Sequence, residues 1–78
     1  MARYEIVSGI LESVDTSSRK ITIDVSGPGD WPEYRDFTIS EEVGEDLEKM
    51  GDEILDYLGR EVTLKLKDGI VVDIEFPE

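Results

Sequence analysis

Hydrophobic residues recur at every second position in five stretches of this chain, and at every third or fourth position in one. The first stretch, Tyr4 to Val14, is predicted as a long strand in which Tyr4, Ile6, Ser8 and Ile10 alternate with Glu5, Val7, Gly9 and Leu11, so apolar side chains fall on both faces around a central glycine. Leu11 and Val14 are three apart, which a regular strand cannot place on one face, so a bulge or bend between Gly9 and Ser13 is expected. Such a bend lets one strand pair at both ends of a small sheet. Asp15-Thr16-Ser17-Ser18 forms a turn, and the second strand, Lys20 to Ser26, points Ile21, Ile23 and Val25 one way and Thr22 and Asp24 the other. Gly27-Pro28-Gly29-Asp30-Trp31-Pro32-Glu33 interrupts regular structure and makes the longest loop. The third strand, about Tyr34 to Ile39, turns Phe37 and Ile39 inward.

Ser40 is placed as an N-cap, with Glu41 and Glu42 in the first turn, where the helix dipole favours anions. Val43, Leu47, Met50, Ile54 and Leu58 then form one apolar stripe on a helix. Gly51-Asp52 leaves open one helix or two, with Gly51 closing the first and Asp52 capping a second; Gly59 ends the helical region. The fourth strand, Glu61 to Lys67, directs Val62, Leu64 and Leu66 inward. Asp68-Gly69 suits a type I′ hairpin turn, and the fifth strand is expected to turn Ile70, Val72, Ile74 and Phe76 inward.

The resulting order is strand, strand, strand, helix, strand, strand. Two stretches carry a resemblance within it: Ser8-Gly9-Ile10-Leu11-Glu12-Ser13-Val14-Asp15 with Ile21-Thr22-Ile23, and Gly59-Arg60-Glu61-Val62 through Asp68-Gly69-Ile70. These look like the opening and closing hairpins of small oligonucleotide/oligosaccharide-binding (OB) barrels. The expected class is therefore α+β, mostly β: a five-stranded antiparallel OB-like barrel in one domain over residues 1–78. A five-stranded antiparallel sheet with the helix across one face is the competing arrangement. The resemblance implies a binding face of Thr22, Asp24, Tyr34, Asp36 and Thr38, with loops offering Ser17, Ser18, Arg19, Lys67 and Asp68. It departs from nucleic-acid readers, which pair stacking aromatics with a basic groove.

Composition narrows the chemistry. Seventy-eight residues supply one core, which buries only about 60% of the unfolded surface. Cysteine and histidine are absent, which removes disulfides, thiolate metal sites and the commonest general base. Twenty acids against eight bases give a net charge of −12, a field that repels phosphate backbones and anionic membranes and favours cations, a basic partner and plain solubility, the last being the preferred account. Nucleic acid is therefore not expected as a ligand. No apolar run exceeds three residues, so neither a membrane-spanning helix nor a signal-peptide core is expected, and the protein is read as soluble, cytoplasmic and monomeric.

Asparagine and glutamine are missing as well. A hyperthermophile would enrich lysine, and a halophile would lean on valine and alanine in its core; computational design accounts for clean patterning and a charged surface together. Gly44 and Gly51 within the helical stretch count against design. The expected function is accordingly a stable scaffold with no native activity; the alternative is a natural acidic OB-type module for a protein partner.

Candidate chemistry is sparse. Trp31, Tyr34 and Arg35 are the candidate binding residues, since a loop aromatic stacks on bases, sugars or a partner's proline. The preferred reading makes Trp31 a plug over one mouth of the barrel instead. Asp24, Asp30, Glu33 and Asp36 are weighed as a hard-cation site but lack the calcium-loop pattern, and solvated carboxylates are the preferred account. The acidic helix face is likewise read as solvated. No serine has a histidine to activate it, and Gly27-Pro28-Gly29 lacks the Lys-Ser/Thr of a phosphate loop. No catalytic residue, metal or cofactor is assigned, and no enzyme activity is expected.

Overall fold

A computed structural model describes residues 3–27 and 29–77; Pro28 of the long loop lies outside the described residues. The elements are β1 (Tyr4–Asp15), β2 (Lys20–Asp24), β3 (Tyr34–Ile39), α1 (Glu41–Met50), a 3-10 helix (Gly51–Tyr57), β4 (Glu61–Lys67) and β5 (Ile70–Glu75). Strands dominate, and they lie in the order β1-β2-β3-β5-β4. β1 is hydrogen-bonded to both β2 and β4, so the sheet curls back on its own first strand in a barrel-like arrangement.

One strand makes both contacts because it bends. Tyr4 to Ile10 pair with Lys67 to Glu61, whereas Ile10 to Asp15 pair with Asp24 to Lys20. The expected bulge lies between Leu11 and Ser13, with Glu12 as the extra residue. It restores Val14 to the inner face beside Leu11, since Leu11 opposes Ile23 and Val14 opposes Ile21. At the crossing, the Leu11 amide donates to the Arg60 carbonyl at 2.9 Å and the Gly59 amide donates to the Leu11 carbonyl at 2.8 Å.

Two sequence expectations are corrected here. The sheet is mixed and not wholly antiparallel: β3 and β5 run parallel, joined at Thr38↔Ile70 and Ile39↔Val71. The inward face of β5 is also different, because the register shifts opposite Lys65 and Leu66, which pair with Asp73 and Val71 and leave Val72 as an extra residue. Val71 is therefore fully buried and Ile70 points outward, the reverse of simple alternation.

The core comprises Leu11, Ile21, Ile23, Ile39, Val43, Leu47, Val62, Leu64, Leu66 and Val71, and among the described residues no polar side chain is buried with them. α1 contributes Val43 and Leu47 to this core. Its N-terminus is capped by Ser40, whose Oγ accepts from the Val43 amide at 3.3 Å. The helical region is divided at Gly51, as one of the two readings held, but Asp52 caps nothing: the second segment is a 3-10 helix with no side-chain cap. Gly51 has φ +56°, a conformation glycine adopts freely, so its place at a helix end is explained. Leu58 is exposed, so the apolar stripe stops at the half-buried Ile54 and Tyr57. Asp68 and Gly69 both have positive φ, as a type I′ turn requires. No helix among the described residues is long and apolar enough to cross a membrane.

Candidate binding surface at the loop between β2 and β3

The loop between β2 and β3 is tied at its base by one carboxylate. Asp24 Oδ1 accepts hydrogen bonds from the Ser26 hydroxyl at 2.6 Å, the Ser26 amide at 2.9 Å and the Glu33 amide at 3.1 Å. The Val25 amide adds a bond to the Glu33 carbonyl at 2.9 Å. These bonds, led by the Ser26 hydroxyl, hold the Asp24 carboxyl below its ordinary value of 3.8, so it stays ionised near neutrality. Beyond this clamp stands Trp31, 91% exposed. The plug reading is overturned: the indole covers no mouth of the barrel but projects from a loop anchored on either side of it.

Tyr34 and Arg35 do not join Trp31 in one platform. Consecutive strand residues face opposite ways, and the register pairs Tyr34 with Asp24 on the outer face and Arg35 with the inward Ile23. Arg35 bends over the Phe37 ring, its guanidinium carbon 5.1 Å from the centroid, and so covers a half-buried aromatic at the rim. Tyr34 remains 59% exposed. The outer face of β2 and β3 does contain the five residues expected of it: Thr22 opposes Asp36, Asp24 opposes Tyr34, and Thr38 opposes Lys20. Thr22 Oγ1 donates to Asp36 Oδ1 at 2.6 Å, which engages the second aspartate of that face.

The four acids considered for a cation are not drawn together. Asp24 serves the loop and Asp36 serves Thr22, and among the described residues no group of three or more carboxylates is arranged to hold a metal ion. The turn residues have structural duties too. Asp15 Oδ1 accepts from the Ser17 and Ser18 amides at 3.0 and 3.2 Å, which lowers its pKa, the Ser18 bonds most. A shallow cleft of about 380 Å³ adjoins the loop where β1 leaves β4 for β2, bordered by Gly9, Asp24, Ser26 and Glu61. The acids Asp24, Asp30, Glu33, Asp36 and Glu61 outnumber the bases Lys20 and Arg35 in this region.

Other exposed apolar side chains lie elsewhere, among them Ile70, which was expected to face inward. Tyr4, Ile6 and Ile70 project from the outer face of β1, β4 and β5. The signal for the first two was the presence of apolar residues on both faces of the first strand. No known protein family, curated protein or solved structure matches the chain.

Proposed function

We propose that this chain is an OB-type barrel working as a non-catalytic binding module, which takes a protein with a basic surface through Trp31. The single observation behind the functional half is the exposure of Trp31 on a loop that Asp24 has already fastened. An exposed indole has few rotatable bonds to fix on binding and buries a large area, which is why tryptophan is enriched among residues that dominate interfaces. The acids around it, Asp30 and Glu33 on the loop and Asp24 and Asp36 on the neighbouring face, favour a cationic partner. The OB half is supported by the strand order, by a first strand shared between two neighbours, and by the helix between β3 and β4.

A second reading keeps the chain as a ligand-free scaffold of designed origin. It is favoured by a core made wholly of aliphatic residues. A nearly fully exposed tryptophan weighs against it, because designed surfaces avoid exposed large apolar groups that function does not need.

Titration with lysine- and arginine-rich peptides, followed by Trp31 emission and by the amide shifts of Glu33 and Tyr34, separates the readings. The binding module requires a saturable response that disappears in Trp31→Ala while the fold persists. No response to any basic peptide would leave the scaffold. A stronger response to a single-stranded oligonucleotide than to the peptides would restore nucleic-acid recognition.

A further inference from the structure

The outer face of β1, β4 and β5 has three rows fixed by register: Ser8–Thr63–Glu75, Ile6–Lys65–Asp73 and Tyr4–Lys67–Ile70. It combines two features, the first of which Trp31, Tyr34 and Leu55 share elsewhere on the molecule. It carries large apolar side chains in the open, Ile6 at 62% exposure, Tyr4 at 57% and Ile70 at 42%. It is also close to balanced in charge, with Lys65 and Lys67 against Glu61, Asp73 and Glu75, on a chain whose net charge is −12. α1 and the 3-10 helix, by contrast, carry Glu41, Glu42, Glu45, Asp46, Glu48, Asp52, Glu53 and Asp56 against Lys49 alone.

We infer that this face joins two copies of the chain in a two-fold dimer. Exposed apolar groups clustered on one sheet face mark an interaction surface. The charge pattern selects the occupant. A second copy meets strong like-charge repulsion at the helical side, but on this face a two-fold axis sets each copy's lysines on β4 against the other's acids on β5. Ile6 lines a shallow groove of about 320 Å³ on this face together with Thr63, Lys65, Asp73 and Glu75. Lys65 leans over Tyr4, its Nζ 4.7 Å from the ring centroid, so the aromatic and the cation present one continuous surface. On this inference the chain associates through its nearly balanced face, in place of the monomer expected from the sequence.

Sedimentation of the full chain tests this. Wild-type protein forms a dimer as concentration rises, and more readily at high salt, because salt screens the repulsion between two copies of −12 each. Ile6→Lys weakens association about tenfold or more with an unchanged circular dichroism spectrum. Lys65→Glu and Asp73→Lys each associate poorly alone yet pair when mixed, since the altered residues then meet opposite charges across the axis. A wild-type chain that stays monomeric at near-millimolar concentration and high salt overturns the dimer, even if this face binds a foreign apolar peptide. So does a dimer that Ile6→Lys leaves intact.

Discussion

A Cβ placed on Gly9 would stand 2.7 Å from the carbonyl oxygen of Asp24 and 3.1 Å from Ile23 Cδ1. This contact is the steric basis of the bend in β1. The end of β2 passes over a position with no side chain, just where β1 hands its pairing from β4 to β2. Gly9→Ala must move backbone and not merely a side-chain tip, and a loss of about 1–3 kcal/mol is expected. Urea denaturation measures it; a loss below the error of the fit would remove the steric account of the bend.

The helix glycines should behave in opposite ways. A Cβ on Gly44 meets Ile39 Cδ1 at 3.9 Å and Arg19 Cγ at 4.0 Å, ordinary contact distances, on a helical backbone. Gly44→Ala is therefore expected to stabilise the fold by about 0.5–1 kcal/mol. Gly51→Ala, at φ +56° and ψ −126°, a backbone open essentially to glycine, is expected to destabilise it by about 1–3 kcal/mol. Thermal melts of the two variants decide, and changes of the same sign would contradict the assigned backbone conformations.

Ile23 and Leu64 are fully buried on facing parts of the sheet. Either residue changed to alanine is expected to cost about 2–5 kcal/mol. Chemical denaturation showing a cost under about 1 kcal/mol would mean that the strand registers are wrong.

Protonating Asp24 should weaken the clamp on the loop and with it the fold. Asp24 has a lower pKa folded than its ordinary 3.8, so its contribution is fully present above that value and is lost as pH falls through the folded pKa. The difference in melting temperature between wild type and Asp24→Asn is expected to be constant near neutrality and to shrink below about pH 4. A gap that widens on acidification would reverse the assigned direction. Comparing two proteins with the same remaining acids cancels the general relief of repulsion.

Trp31 reports on its own surroundings, as the sole tryptophan. Its emission is expected to be that of an indole in water and readily quenched by acrylamide, and Trp31→Ala should change stability by no more than about 0.5 kcal/mol. A blue-shifted, protected emission would return the indole to the barrel mouth.

Much of the architecture was legible because it rests on local rules. The alternation in β2 and β4 and the Asp68-Gly69 turn each follow from a few neighbouring residues, whereas Gly51 left one helix or two open. Even the bulge at Glu12 was visible as a break in phase between Leu11 and Val14. The phase change in β5 was not, since Ile70-Val71-Val72 is apolar throughout and gives no sign of which residue is extra. The direction of β3 relative to β5 was hidden for another reason: apolar alternation is the same in parallel and antiparallel pairs. At the candidate site, alternation alone separates Tyr34 from Arg35. The exposure of Trp31 depends on how Asp24 ties a loop, which residue spacing does not encode.

The parallel pairing of β3 with β5 spans two residue pairs, continued by a 2.8 Å bond from the Ser40 amide to the Val71 carbonyl. It works as a clasp on a band whose other links are several residues longer. Amides at this clasp should exchange with deuterium through brief local partings, while those of Ile23 and Leu64 wait for the whole molecule to unfold. It also joins positions some thirty residues apart in the chain, fewer than separate the partners in β1 and β4, so both of these long-range links fasten after the local hairpins, and the clasp is the shorter-range of the two.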